Sequence, residues 1–315
     1  MQAQGVRLEW DEVPEDVRSR VAAALGSPVV TAVNQPGGFS PGVAARCRLA
    51  DGRRCFIKSV SPEPNPSTPD LHRREAEVAS ALPPHLPVPA LLDVIDDGTW
   101  VTLVFEEIEG QPPAQPWSME DLAATFGSLE ELAAATTPCP VVTLPSFVER
   151  HRAAFAGYRT LAGGGAAPVD GLDPWTRRHL DALAALEDGW EDAAAGSSLL
   201  HSDLRADNLL VTPDGAVVVV DWPHACIGPA WVDKACMLPS VGLGGGPSPA
   251  EVVAALDPFG EVEPEALDLV LVALCGYFTH QGAQPDPPGL PTVRAFQRAQ
   301  GAVAREWLMV RLRLQ

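Results

Sequence analysis

The stretch of the chain from residue 199 to residue 221 places the strongest constraint on its fold. A polar loop with His201, Asp203 and Asn208 follows two leucines, and a run of four valines leads directly into Asp221. Between the loop and the valines lies Pro-Asp-Gly, which is typical of a tight turn between antiparallel strands. We therefore expect a hairpin that brings Asp221 back beside Asn208.

The residue types in this stretch suit the transfer of a phosphoryl group, and their spacing is that of a kinase catalytic loop. A carboxylate can orient an acceptor hydroxyl and take its proton, which is the role expected for Asp203. Mg²⁺ prefers hard oxygen ligands, and Asn208 and Asp221 offer them. Arg205 stands two residues after Asp203 and could supply positive charge to the transferring group. An ordinary polar loop before a hairpin is the alternative interpretation.

Composition argues against several classes of protein. The 315 residues are 46% apolar, which predicts a globular protein large enough for two lobes. The net charge of −19 disfavours nucleic acid, because its phosphates would be repelled. Residues 1–13 lack the pattern of a secretion signal and no apolar segment is long enough to span a bilayer, so no membrane partner is expected. Six cysteines without C-x-x-C spacing favour free thiols in a cytoplasmic protein over a zinc site.

The first hundred residues alternate between strands and turns. A helix is predicted over 12–25 and another over 70–82, and apolar runs predict strands over 29–33, 43–49, 54–60, 90–95 and 99–106. A loop between the first two strands is rich in residues that let backbone N–H groups approach phosphates closely: Gly37, Gly38, Ser40 and Gly42. A strand follows this loop, so it is neither a Walker loop nor a Rossmann fingerprint, and a plain turn is the alternative.

Lysine occurs only at Lys58 and Lys234, in a sequence that otherwise uses arginine. Lys58 lies one strand after the glycine loop, where a compact positive charge can bind phosphate. Glu75 or Glu77 in the following helix could pair with Lys58, and we favour Glu75. A solvated carboxylate on the helix surface is the alternative for both.

Beyond residue 110 the pattern becomes helical. The connector 110–116 contains prolines and marks the best boundary, which predicts two domains, residues 1–109 and 110–315. Helices are expected over 118–136, 145–161, 173–194, 230–240, 248–257, 263–280 and 291–312.

Taken together, these residues resemble the aminoglycoside phosphotransferase family of small-molecule kinases, from the glycine loop to Asp233. The resemblance implies an α+β, bilobal protein-kinase-like fold. A small N-terminal antiparallel-sheet lobe with one main helix would bind the nucleotide, and a larger, mainly helical C-terminal lobe would carry the catalytic loop and the acceptor site. ATP and Mg²⁺ are the implied cofactors, with adenine against the connector at Phe105, Glu106 and Ile108. Asp233 would brace the catalytic loop.

Two departures from the pattern affect the expected substrate and loop. Members commonly have glycine between the histidine and aspartate of the loop, and Ser202 is expected to fit there. Asp221-Trp222-Pro223 replaces the D-F-G of protein kinases and no A-P-E follows, so a protein substrate is not expected.

The implied activity is ATP-dependent transfer of the γ-phosphoryl group to a hydroxyl of a small molecule, such as an aminoglycoside antibiotic. A metabolite kinase acting on a sugar, choline or an amino alcohol is the alternative, as is a non-catalytic kinase-like binding protein. The C-terminal helices hold more arginines than carboxylates, which argues against a polycationic acceptor. The carboxylates before them either face the cleft or begin a solvated helix: Glu261, Glu263, Glu265 and Asp268. Three further residues are candidates for contact with a substrate or for packing: Trp231, His224 and Tyr277.

Overall fold

Five antiparallel strands form the sheet of the N-terminal region in the computed structural model, which describes residues 7–35, 41–63, 65–164, 171–287 and 292–314. The sheet has the order β1-β2-β3-β5-β4. Its strands are β1 (Val29–Asn34), β2 (Val43–Leu49), β3 (Arg54–Val60), β4 (Leu91–Asp96) and β5 (Val101–Phe105). All five were predicted from the sequence, and the bounds of β2 and β3 coincide with the prediction.

The two faces of this sheet pack against different helices. Helix α1 (Glu15–Leu25) covers one face, where Ile57 of β3 is fully buried. Helix α2 (Thr68–Ala81) packs on the other face, where Ala76 joins a small apolar cluster with Leu103. Because successive side chains of a strand point to opposite faces, Lys58 lies on the face of α2.

The connector after β5 is attached to the C-terminal region by its backbone. The N–H of Gln111 donates to the carbonyl of Val211 at 3.0 Å, and the N–H of Val211 donates back at 2.7 Å. At Gly110 a Cβ would lie 3.0 Å from the same carbonyl, so only glycine allows this approach without a shift.

Nine helices follow the connector within the described part of the chain. They are α3 (Met119–Ala135), α4 (Phe147–His151), α5 (Gly157–Ala162), α6 (Pro174–Glu187), α7 (Trp190–Ala193), α8 (Trp231–Leu243), α9 (Pro249–Leu256), α10 (Pro264–Gly282) and α11 (Val293–Arg311). Helix α10 is at the centre, in contact with α5, α6, α7, α8 and α11. No helix in the described ranges is both long enough and apolar enough to cross a membrane.

Two segments that were predicted as single helices each form two helices in the structure. The segment 145–161 forms α4 and α5 instead of one helix, because the start of α5 packs closely on α10: a Cβ at Gly157 would lie 2.0 Å from the carbonyl oxygen of Gly276. The buried carboxylate of Glu187 accepts the N–H groups of Tyr158 and Arg159, both at 2.9 Å, and so satisfies the new helix start. The segment 173–194 is likewise interrupted, between α6 and α7.

Two short antiparallel pairs complete the described fold. Strands β7 (Leu209–Val211) and β8 (Val217–Val219) form the hairpin predicted from the sequence. Strands β6 (Ser198–Leu200) and β9 (Cys226–Gly228) come before and after this hairpin in sequence and pair with each other. This pair was not predicted. Three residues are too few for a strand pattern to be visible in sequence.

Candidate active site

The hairpin brings Asn208 and Asp221 together. Leu209 pairs with Val219, and the N–H of Val220 donates to the carbonyl of Asn208 at 3.0 Å. The turn is closed by Gly215 at φ +87°, a conformation that glycine adopts readily. Both residues therefore lie at the open end of the hairpin, as the sequence predicted.

His201 connects the loop to this hairpin through its two ring nitrogens. Its Nδ1 accepts the N–H of Asp203 at 3.2 Å, and its Nε2 donates to the carbonyl of Val220 at 2.9 Å. This pair of bonds suits a neutral imidazole with its proton on Nε2. The amide nitrogen of Asn208 donates to the carbonyl of Asp203 at 2.8 Å. Asp203 is thus positioned by bonds to both ends of its own loop.

Asp233 of α8 holds the start of the loop, as the resemblance implied. Its carboxylate accepts the N–H groups of His201 at 2.7 Å and Ser202 at 2.8 Å. Ser202 has φ +65°, in the left-handed region that favours glycine, the residue that the resemblance leads one to expect here. Serine is accommodated there, and its hydroxyl lies 2.8 Å from Nε2 of His151.

Lys58 lies between two carboxylates. Its Nζ is 2.6 Å from Glu75 Oε1 and 2.5 Å from Asp221 Oδ1. The expected pair with Glu75 is therefore present, and the side chain of Glu75 is only 2% exposed. Glu77, the alternative partner, instead accepts a hydrogen bond from the hydroxyl of Thr143.

Lys58, Glu75 and Asp221 shift one another's pKa values. Burial raises the pKa of Glu75, against the attraction of Lys58. Burial acts in the same direction on Asp221, but there the Lys58 ammonium prevails and the pKa lies below its usual value. Burial opposes the charge on Lys58, yet the carboxylates of Asp221 and Glu75 raise its pKa. Lys58 is thus charged at neutral pH, and its two ion pairs hold α2 and the end of the hairpin together at the cleft.

Arg205 is bound to the carboxylates on either side of it in the loop. Its guanidinium contacts Asp203, and its Nε and Nη2 lie 3.0 and 3.2 Å from the two oxygens of Asp207. The structure therefore brings together the residues predicted for catalysis.

The connector offers backbone groups to the cleft. The N–H of Glu106 donates to Ala90 at 2.9 Å, and the carbonyl of Ile108 accepts the N–H of Gly110 at 3.0 Å. Within the described residues, the carbonyl of Glu106 and the N–H of Ile108 make no hydrogen bond. Phe105, Glu106 and Ile108 all line the same cleft as Lys58.

The cleft is bounded by apolar side chains of both regions, among them Val43, Ala44, Val88 and Leu210. Of the predicted glycine loop, Gly42 is described: it has φ +100°, and a Cβ there would lie 2.6 Å from the carbonyl of Ser59. Gly37, Gly38 and Ser40 lie outside the described residues.

A second cavity lies on the other side of the catalytic loop. Asp203 and Arg205 line it together with residues of α4, α10 and α11. His224 and Tyr277, two candidates from the sequence, line this cavity, whereas Trp231 packs against the helical core. Asp268 is paired with Arg311, and Glu261, Glu263 and Glu265 are not among the lining residues.

Sequence reasoning missed Arg150 and His151, which line the second cavity from α4. A five-residue helix shows no periodicity, so no signal in the single sequence identifies them.

The donor set at the hairpin fits a hard cation held partly by phosphates. Asp221 offers a carboxylate, and the amide oxygen of Asn208 accepts no hydrogen bond from any described residue. Among the described residues, no group of three or more His, Cys, Asp or Glu side chains could hold a metal by itself. Mg²⁺ suits the pair of Asn208 and Asp221, since it commonly uses one or two protein ligands together with substrate phosphates.

Comparisons with known proteins agree with this geometry. The model of the phosphotransferase enzyme family (APH) matches residues 38–267. No curated protein matches the chain in sequence. The choline kinase LicA from Streptococcus pneumoniae is similar in structure, with a TM-score of 0.62 and 15% sequence identity over 92% of this chain and 98% of that chain.

Two further solved structures are similar. Spectinomycin phosphotransferase APH(9)-Ia, in complex with ADP and spectinomycin, has a TM-score of 0.62 and 12% identity over 95% of this chain and 98% of that chain. An aminoglycoside-3'-phosphotransferase of type VIII has a TM-score of 0.53 and 22% identity over 83% of this chain and 98% of that chain. The predicted α+β, bilobal protein-kinase-like fold is confirmed.

Proposed function

The chain belongs to the phosphotransferase enzyme family, and on that premise we propose that it transfers the γ-phosphoryl group of ATP to a hydroxyl of a small molecule. The observation that carries this proposal is the convergence of Lys58, Glu75, Asn208 and Asp221 on one cleft, with Asp203 between that cleft and a second cavity. ADP in the related spectinomycin phosphotransferase supports a nucleotide here.

Residues 1–109 are the proposed nucleotide-binding lobe. The carbonyl of Glu106 and the N–H of Ile108 are available for the edge of the adenine ring, beside Phe105. Lys58, oriented by Glu75, would bind the phosphates under the loop that contains Gly37, Gly38, Ser40 and Gly42.

Residues 110–315 are the proposed lobe for the reaction and the acceptor. Asn208 and Asp221 are the residues that would hold Mg²⁺ beside the phosphates, where the ion supplies neutralisation of their charge. Asp203 orients the acceptor hydroxyl and takes its proton. Arg205 holds Asp203 in place and adds positive charge near the transferring group.

The second cavity, where Asp203 lies, is the proposed acceptor cavity, and its lining favours a metabolite over an aminoglycoside. Asp203 is the only carboxylate among the described residues that line it, and Arg205 already pairs with that carboxylate. Several ammonium groups would lose their hydration there without carboxylate partners, which is costly. The six cysteines are free thiols, and a reducing cytoplasm is the location we propose.

The test is release of ADP from Mg-ATP in the presence of aminoglycosides, sugars, amino alcohols and hydroxy acids. We expect turnover with at least one class, and a loss of roughly 10²- to 10⁴-fold in kcat for Asp203→Asn with nucleotide binding retained. Unchanged turnover in Asp203→Asn would contradict the mechanism.

The alternative of a non-catalytic binding protein has its own test. We expect slow ATP hydrolysis that requires Mg²⁺ and disappears in Asp221→Ala. Nucleotide binding without any hydrolysis or transfer would favour the binding protein instead.

A further inference from the structure

The guanidinium group of Arg150 faces the acceptor cavity and forms no ion pair with a carboxylate of the described residues. Its Nη2 lies 2.5 Å from Nδ1 of His224, a neutral partner. No carboxylate of the described residues lies within 4.0 Å of its guanidinium. By contrast, Arg205 in the catalytic loop pairs with Asp203 and Asp207, and the exposed Arg152 at the end of α4 pairs with Glu191. This chain carries 41 acidic residues, so the lack of one at Arg150 sets it apart from these two arginines.

Burial lowers the pKa of Arg150 against the attraction of Asp203, whose carboxylate is already paired with Arg205. Burial lowers the pKa of His151 to about 4, and burial also lowers the pKa of His224, so both rings are neutral at pH 7. Much of the remaining wall is aromatic or aliphatic, including Phe155, Leu274 and Phe278. A partly buried charge without a counter-ion is costly, and a ligand that brings the opposite charge removes that cost.

We propose that the acceptor is a hydroxy acid, whose carboxylate pairs with Arg150 while its hydroxyl faces Asp203. Guanidinium and carboxylate match in a bidentate geometry, and the aromatic wall would cover the apolar part of the molecule. This inference rests on the proposed function, because it takes Asp203 as the base.

The transfer step balances with this acceptor. The hydroxyl oxygen forms a bond to the γ-phosphorus and gives its proton to Asp203. The bond from that phosphorus to the bridging oxygen breaks, and ADP leaves with the electron pair. The products are a phosphate ester that keeps the carboxylate, ADP and one proton.

A triplet of probes with the same phenyl ring and hydroxyl separates charge from shape: mandelate is an anion, mandelamide is neutral and phenylethanolamine is a cation. In the wild type we expect mandelate to raise the Tm and to support the fastest ADP release, and phenylethanolamine to do neither. In Arg150→Gln the KM for mandelate should rise roughly 10- to 100-fold, with kcat changed much less. Arg150→Lys keeps the positive charge and should restore part of the preference.

Arg152→Gln is the matched control. Arg152 is exposed at the same end of α4 and pairs with Glu191 outside the cavity, so its loss should leave the preference for mandelate unchanged. Equal effects of the three probes, a preference for the cation, or no effect of mandelate on either Tm or ADP release would overturn the proposal. So would an equal fall of kcat for mandelate and mandelamide in Arg150→Gln, since Arg150 would then act on the phosphoryl group.

Binding of Mg-ATP and its slow hydrolysis, measured without any probe, separate this failure from failure of the proposed function. If both are present and mandelate is inactive, only the hydroxy-acid inference falls. If both are missing, the proposed function falls and the inference with it.

Discussion

At the scale of single residues, the site concentrates backbone conformations that side chains normally avoid. Three non-glycine residues of the described chain have positive φ, and two of them are Ser202 at +65° and Asp221 at +70°. Such conformations cost on the order of 1–3 kcal/mol and persist where surrounding bonds fix them. Here the N–H of Ser202 donates to the carboxylate of Asp233, and the ammonium of Lys58 donates to the carboxylate of Asp221.

Gly42 provides a test at this scale. A Cβ there would lie 2.6 Å from the carbonyl of Ser59, whereas Gly52 has a similar φ of +91° with no atom within 4 Å of its would-be Cβ. We expect Gly52→Ala to cost about 1 kcal/mol from the backbone alone, and Gly42→Ala to cost about 1–3 kcal/mol more, measured by urea denaturation. Equal losses in the two variants would show that the contact with Ser59 is relieved by a small shift.

At the scale of secondary structure, α2 and β3 are joined at the cleft by one ion pair. Replacing Glu75 by glutamine removes the negative charge that orients Lys58, and we expect kcat/KM to fall roughly 10- to 100-fold. Glu77→Gln lies two residues along the same helix and bonds only Thr143 in the described structure, so it should change kcat/KM little. A comparable fall in both variants would indicate that α2 itself, and not the pair, is disturbed.

Local patterns in the sequence were enough to place some of these residues and not others. The hairpin and the loop before it lie within two dozen residues of one another, so turn chemistry and spacing predict their geometry. Lys58 was predicted from its place one strand after the glycine loop, and Glu75 or Glu77 from their place on the helix that follows. Arg150 faces the acceptor cavity from the five-residue α4, and the contact of Gly157 with Gly276 at the start of the next helix joins residues far apart in sequence. No local pattern contains that information.

At the scale of the whole molecule, burial of His72 links stability to pH. Burial, with Lys58 nearby, lowers the pKa of His72 from 6.5 to about 4. Between these values the unfolded chain binds the proton and the folded chain does not, so this contribution to stability is complete above pH 6.5 and is lost as the pH falls towards 4.

We therefore expect the decline of Tm with falling pH in this window to be shallower in His72→Gln than in the wild type. His85→Gln replaces an exposed histidine and is the control. For this variant we expect the same decline of Tm with falling pH as in the wild type. Thermal unfolding followed by circular dichroism at several pH values makes the comparison. The same slope in His72→Gln and the wild type would show that His72 does not contribute.

The backbone bridge between Gln111 and Val211 has a mechanical consequence for the whole molecule. It fixes the end of the connector to the hairpin that carries Asn208, while β5 fixes its beginning to the sheet at Phe105. Any widening of the cleft must also break the contacts that cross it, among them the Lys58–Asp221 ion pair and the 2.8 Å hydrogen bond from the N–H of Val219 to the carbonyl of Pro87. The short segment between the two anchors also carries the backbone groups of Glu106 and Ile108 that face the cleft, so a ligand bound there would contact the covalent connection between the sheet and the hairpin directly.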